Sequence, residues 1–135
     1  MKVVIDTNVL VSGLLAPGGA PGRVVSAWFE GRFDVALSFE QLAEIARVLE
    51  YPKIRTRLGW QDPEIEGFIK QLYVRSEVIE PGDVEIELPR DPDDAPILAA
   101  FVSTRADILV TGDRDLLALR GKYAIETPAE FVRRL

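Results

Sequence analysis

The sequence predicts an α/β fold in which helices cover both faces of a central parallel sheet, and three observations predict it. The runs Val3-Val4-Ile5 and Ile108-Leu109-Val110 are aliphatic throughout, the pattern of strands buried on both faces. Between the strand-like runs lie segments with apolar residues at helical spacing, so strands and helices alternate as in βαβ units. Both aliphatic runs end in acid, at Asp6-Thr7-Asn8 and at Thr111-Gly112-Asp113-Arg114-Asp115. In a doubly wound sheet, ligands sit beyond the carboxyl ends of the strands, where the strand order switches.

Val3 to Ile5 forms the first strand, stopped by Asp6-Thr7-Asn8. Residues 9–16 are mainly apolar and make a short helix, ended by Pro17-Gly18-Gly19. Pro21-Gly22 opens a helix in which Val24, Val25, Trp28 and Phe29 share a face, and Gly31 closes it. Phe33 to Leu37 reads as the second strand. Ser38 and Gln41 have the spacing of a capping box for a helix over 39–50 that stops before Pro52. Asp62-Pro63 reads as an N-cap followed by proline at the first helical position, starting a helix with Ile65, Phe68, Ile69 and Leu72. Glu77 to Ile79 is the third strand. The polar, proline-punctuated residues 80–93 form a loop rather than a linker, because too little chain follows to build a second core. Asp93-Asp94-Ala95-Pro96 begins a helix carrying Ile97, Leu98, Phe101 and Val102, and Ile108 to Val110 is the fourth strand. A short helix holds Leu116, Leu117 and Leu119, Tyr123 to Ile125 makes the last strand, and Pro128 starts a final helix to Leu135.

The length of 135 residues fits a single domain over 1–135, and 47% hydrophobic residues suffice for a sizeable core. The chain has no Cys, which excludes disulfides, thiolate zinc sites and a Cys nucleophile. It has no His either, which excludes imidazole ligands, a Ser-His-Asp triad and a His base. Chemistry is left to carboxylates, hydroxyls, amides, Arg and Lys. A pI near 4.7 argues against broad attraction to nucleic acid or anionic membranes, although a bound divalent cation reverses the local sign. Met1 to Ile5 meets Asp6 too early for a signal peptide, and no apolar run approaches the roughly 20 residues of a membrane span. The expectation is a soluble cytoplasmic protein.

Alone, Asp6 reads as a helix cap, since Asp, Thr and Asn are all good caps. The fourth strand repeats the arrangement, with Gly112 permitting a tight turn before Asp113 and with Asp115 two residues on. A third acidic group, Asp91, Asp93 and Asp94, begins the preceding helix, where capping and the helix dipole also favour acids. Three such groups at equivalent places in a doubly wound sheet repel one another unless something positive lies between them. Without His or Cys, the natural neutraliser is a hard cation on oxygen ligands, Mg²⁺ or Mn²⁺. Carboxylates with such ions are suited to phosphodiester hydrolysis, because the metal acidifies a bound water and screens phosphate charge.

These residues, in this order, resemble the PIN-domain family of metal-dependent ribonucleases, and within it the VapC-like toxins of type II toxin–antitoxin pairs. The resemblance spans Val4-Ile5-Asp6-Thr7-Asn8-Val9, Ser38 to Ile45, Arg90-Asp91-Pro92-Asp93-Asp94, Val110 to Leu116 and Ile125 to Phe131. It implies a three-layer α/β/α PIN-like fold with a central parallel sheet of four to five strands. It also implies Mg²⁺ or Mn²⁺, one or two ions, held by Asp6, Glu44, Asp94 and Asp113 with Asp115 as a fifth member. The same four leading acids become the catalytic residues, and Asn8 and Thr111 the polar positions that orient a ligand, a water or a carboxylate. RNA is the implied substrate, an antitoxin the implied partner and a homodimer the implied assembly, with no membrane association.

Physics alone would not choose Glu44, which falls at the edge of the apolar face centred on Leu42, Ile45, Ala46 and Leu49, and which reads equally as a solvated boundary residue. Among the loop acids, Asp94 fits the family register, Asp91 reads as loop support and Asp93 as the N-cap. Setting the five metal-binding acids aside leaves 17 acids against 16 bases, so the low pI does not weigh against RNA. Arg outnumbers Lys twelve to four, which suits bidentate phosphate contacts. Tyr51 to Trp60 sets Lys53, Arg55 and Arg57 between two aromatics, either as RNA contacts or, the stronger reading, as a solvated helix with Ile54, Leu58 and Trp60 packed inward. Arg133 and Arg134 read as complements to a helix dipole. Trp28 and Phe29 fit either a core or a dimer face. Gly13 to Gly22 lacks the spacing of a nucleotide-binding loop and reads as a connection between helices. A receiver-like signalling domain fits poorly, because no Lys follows the fifth strand; a dehalogenase-like phosphatase needs Asp-x-Asp where this chain has Asp-x-Asn. A PIN relative that only binds or regulates RNA would lack several of the acids.

Overall fold

The computed structural model describes residues 1–135. Five parallel strands, β1 (Lys2–Ile5), β2 (Asp34–Ser38), β3 (Glu77–Ile79), β4 (Ile108–Val110) and β5 (Ile125–Glu126), form one sheet in the order β3-β2-β1-β4-β5. The helices are α1 (Thr7–Leu15), α2 (Ala20–Phe29), α3 (Phe39–Leu49), α4 (Pro52–Leu58), α5 (Asp62–Arg75), α6 (Ala95–Ser103), α7 (Arg114–Leu117) and α8 (Pro128–Val132), with a 3₁₀ turn over Pro92–Asp94. This is the three-layer α/β/α fold expected. The order differs from the 2-1-3-4-5 of receiver modules, so the receiver reading fails on topology.

Side-chain alternation explains why the strands read as continuous apolar runs. Val3, Ile5, Val35, Leu37, Ile108 and Val110 face one layer, with Trp28, Ile45, Leu72 and Phe131 from the helices above them. Val4, Ala36 and Leu109 face the other, against Leu98, Phe101 and Leu116. Each strand thus fills both cores with alternate residues.

The switch in strand order falls between β1 and β4, whose register pairs Val3 with Ile108 and Ile5 with Val110. Pairing continues past the strand ends, because the Asp6 N–H donates to the Val110 carbonyl at 2.9 Å and the Thr111 N–H to the Glu126 carbonyl at 3.0 Å. The two acidic strand endings are therefore neighbours.

Several local expectations need correction. Ser38 caps α3, accepting from the Gln41 N–H at 3.0 Å, but the Gln41 side chain does not close a capping box: its amide nitrogen donates to the Ile5 carbonyl at 2.6 Å instead. The cap of α5 is Gln61, not Asp62, because Glu64 reaches back to the Gln61 N–H at 2.7 Å and fixes the box one residue earlier. Asp91, not Asp93, caps the turn before α6, accepting from the Asp93 N–H at 3.0 Å. Leu119 lies beyond α7, Tyr123 lies outside β5, and α8 ends at Val132. Gly13 and Gly22 lie within α1 and α2, where the helices cross so closely that a Cβ on Gly13 would sit 2.6 Å from the Pro21 carbonyl oxygen. Trp28 is core, whereas Phe29 is half exposed, packed edge-on to Phe68 with the Arg75 guanidinium over its ring. Arg134 pairs with Glu126 rather than acting on a helix end.

Candidate active site

Asp6 occupies the N-cap position of α1, yet its carboxylate makes no capping hydrogen bond. Its Oδ2 instead accepts from the Thr111 hydroxyl at 2.7 Å, and the same hydroxyl oxygen accepts from the Asp113 N–H at 2.9 Å. Thr111 is fully buried, so one side chain ties the end of β1 to the turn after β4. Asp113 does serve as a cap, its Oδ1 accepting from the Asp115 N–H at 2.7 Å, which leaves the other carboxylate oxygen free of that duty.

Asp94 enters from the start of α6 and is 6% exposed. It too stands at an N-cap without capping, and its Oδ2 is buried with no hydrogen-bond partner. One carboxylate oxygen from each of Asp91, Asp94 and Asp115 lies within 4.8 Å of the others. Of the acids expected from the sequence, this cluster holds Asp94 and Asp115 and not Asp6, Glu44 or Asp113, although the charges of Asp113 and Asp6 also act on Asp94. Asp91 both caps its turn and joins this cluster, a role the sequence reading gave only to its neighbours. The signal was its spacing from Asp94, since residues i and i+3 eclipse in a 3₁₀ turn.

Glu44 is half-buried on α3 and accepts from the Thr7 hydroxyl. Gln41, one turn earlier on the same face, donates to the Ile5 carbonyl and reaches the Thr7 hydroxyl at 3.5 Å. Thr7 and Gln41 are both buried and were missed as site residues, because a Thr in a helix's first turn and a Gln near a cap have ordinary structural explanations.

The acids perturb one another. Burial raises the Asp6 carboxyl above its ordinary value, and the charges of Asp113 and Glu44 add to it, against the Thr111 hydrogen bond. Burial and the nearby Asp113 carboxyl push Asp94 up to about 7. No cation offsets them. The ion pairs of the chain are Lys2–Glu77, Arg55–Asp62, Arg120–Glu130, Lys122–Glu87 and Arg134–Glu126, all involving other acids. Buried carboxylates without a counter-charge either hold protons or hold a cation. An all-oxygen donor set with an unpartnered buried oxygen fits a hard divalent ion.

The side chains of the remaining candidates make no hydrogen bond to these acids. Asn8 is exposed and no side-chain hydrogen bond holds it. Arg55 is engaged by Asp62 and the Trp60 carbonyl, while Lys53 and Arg57 are exposed on α4. Ile54, Leu58 and Trp60 pack against the larger core, as the packing reading expects.

Fold and pocket together define a doubly wound α/β/α protein with a carboxylate pocket at its switch point. The chain belongs to the PIN domain family, whose model matches residues 2–115. PIN domains are typically metal-dependent nucleases that in general act on RNA. The chain is also similar to an uncharacterised protein of Methanocaldococcus jannaschii, 34% identical over 142 aligned positions that cover 98% of this chain and 90% of the relative. No solved structure was found to match it.

Proposed function

We propose that this chain is an endoribonuclease, a single PIN domain over 1–135 that uses Mg²⁺ or Mn²⁺ to hydrolyse RNA phosphodiester bonds. The observation that carries the reading is the group of carboxylates drawn from separate stretches of the chain, Asp6 and Asp94 buried and Asp91, Asp113 and Asp115 half-buried, none of them in an ion pair. Asp6, Glu44, Asp94 and Asp113 are the catalytic acids and, with Asp115, the metal ligands. A bound ion would supply an acidified water and charge screening at the phosphate. The chain's own part is positional: Thr111 fixes Asp6 against Asp113, and Thr7 with Gln41 fixes Glu44. Asn8 is solvent-facing beside Asp6, free to orient a ligand or water there, and Lys53 and Arg57 are solvent-facing on α4 and free to meet RNA.

In the finer reading, the protein is the toxin of a toxin–antitoxin pair, acts in the cytoplasm and forms a homodimer. The surface such a dimer would use is a groove of about 500 Å³ between α3 and α5, lined by Leu42, Ile65 and Ile69 together with Arg47, Glu50, Glu66 and Lys70. No helix is long and apolar enough to cross a membrane.

The test is cleavage of a panel of structured RNAs with Mn²⁺, wild type beside Asp6→Asn. Wild type cuts, the variant loses at least about a hundredfold in rate, and EDTA stops both. Equal cleavage in EDTA refutes the metal reading.

A further inference from the structure

We propose that a groove beside the carboxylate pocket is a subsite for one base of a single-stranded RNA and selects guanine; this rests on the ribonuclease reading above. The groove has a volume of about 480 Å³, within the range of small-ligand sites. One wall is Phe39, the first residue of α3, which leaves 49% of its surface exposed. Its ring is braced by Tyr73 at a centroid separation of 6.4 Å. The small apolar start of α6, Ala95, Pro96 and Ala99, also lines it.

Two further features identify the occupant. The groove shares Glu40, Pro92 and Pro96 with a neighbouring cavity of about 270 Å³ that Gln41, Glu44, Arg47 and Asp93 also line, so it adjoins the Glu44 side of the site. Its charged lining is Glu40 and Glu80 alone, with no Lys or Arg, and neither acid is in an ion pair. Such a lining rejects a phosphate. It accepts a flat group with apolar faces and N–H donors at its edge, which describes a nucleobase. Exposed aromatics stack on bases whatever their sequence. The carboxylates add the discrimination. Guanine presents N1–H and the N2 amine side by side, a pair that one carboxylate accepts together. Uracil offers one donor, and cytosine and adenine each set an acceptor beside their amine.

The experiment measures binding apart from cleavage, by fluorescence anisotropy of labelled uridine octamers with one central guanosine, inosine, adenosine or cytidine, in Mn²⁺ and on the Asp6→Asn background. The guanosine oligomer binds roughly fivefold or more tighter than all-uridine. Phe39→Ala removes about tenfold of its affinity, and Phe39→Trp retains it. Replacing both Glu40 and Glu80 by Gln erases the preference for guanosine over inosine and leaves all-uridine binding unchanged. Equal affinity for all the octamers, or Phe39→Ala binding like its parent, overturns the subsite. Wild-type cleavage of RNA together with that result leaves the nuclease reading standing. Guanosine-selective, Phe39-dependent binding by a protein that cleaves no RNA does the reverse.

Discussion

Thr111 shows how one hydroxyl can set the geometry of two acids. It donates to Asp6 and accepts from the Asp113 backbone, and it is wholly buried. Thr111→Val keeps the shape and removes both bonds, so it lowers stability by about 1–3 kcal/mol. It also reduces RNA cleavage, whereas Thr111→Ser restores it; thermal unfolding and initial rates check both. The acids themselves set a pH dependence. Asp94 rises from 3.8 to about 7 on folding, so between those values the folded state binds more protons than the unfolded one. Its contribution therefore makes stability fall as pH rises through that window. In EDTA, the melting temperature falls between pH 5 and pH 8, and Asp113→Asn flattens the fall and raises the midpoint at pH 8. Asn remains a competent cap for α7, so the substitution removes charge without removing the turn. A flat profile for wild type, or a lower midpoint for the variant at pH 8, contradicts the crowding. Asp6, Asp94 and Asp113 were legible because each sits where a strand ends or a helix begins. Glu44 was legible only through the family resemblance, since its place on α3 is equally that of a boundary residue. Asp91 was legible as loop support, which its cap on the turn bears out, but not as a neighbour of Asp94, because its two jobs leave one sequence signature.

At the scale of elements, the strands were the most readable, because burial on both faces allows only apolar residues at Val3 to Ile5 and Ile108 to Val110. Helix ends were less so. Gln61 displaces Asp62 as cap of α5 because the reach of Glu64, not the residue preference alone, fixes the box. Gln41 has the right spacing for a box with Ser38 but finds a better partner in the Ile5 carbonyl, a tertiary contact no local pattern encodes. The glycines of the α1–α2 region read as loop because their purpose is a helix crossing. A Cβ on Gly13 would lie 2.6 Å from both the Pro21 carbonyl oxygen and Val25 Cγ2, so Gly13→Ala forces the two helices apart and costs about 1–3 kcal/mol. Urea unfolding measures it; a variant as stable as wild type would show that the crossing yields freely.

For the whole molecule, alternation of strands and helices gave the layered architecture, whereas the order β3-β2-β1-β4-β5 depends on which neighbour each crossover selects and is not written locally. That order is what turns acids scattered over more than a hundred residues of chain into one pocket. It also explains why a formal charge of −6 misleads, since much of the excess lies at one place rather than over the surface. The most direct test of the account is calorimetric titration of the metal-free protein with Mn²⁺ at pH 7, in two buffers of different ionisation enthalpy. Wild type binds, the heat differs between buffers because Asp94 releases a proton on binding, and Asp6→Asn and Asp94→Asn lose at least about tenfold in affinity. No binding to wild type, or equal binding to the variants, would contradict it.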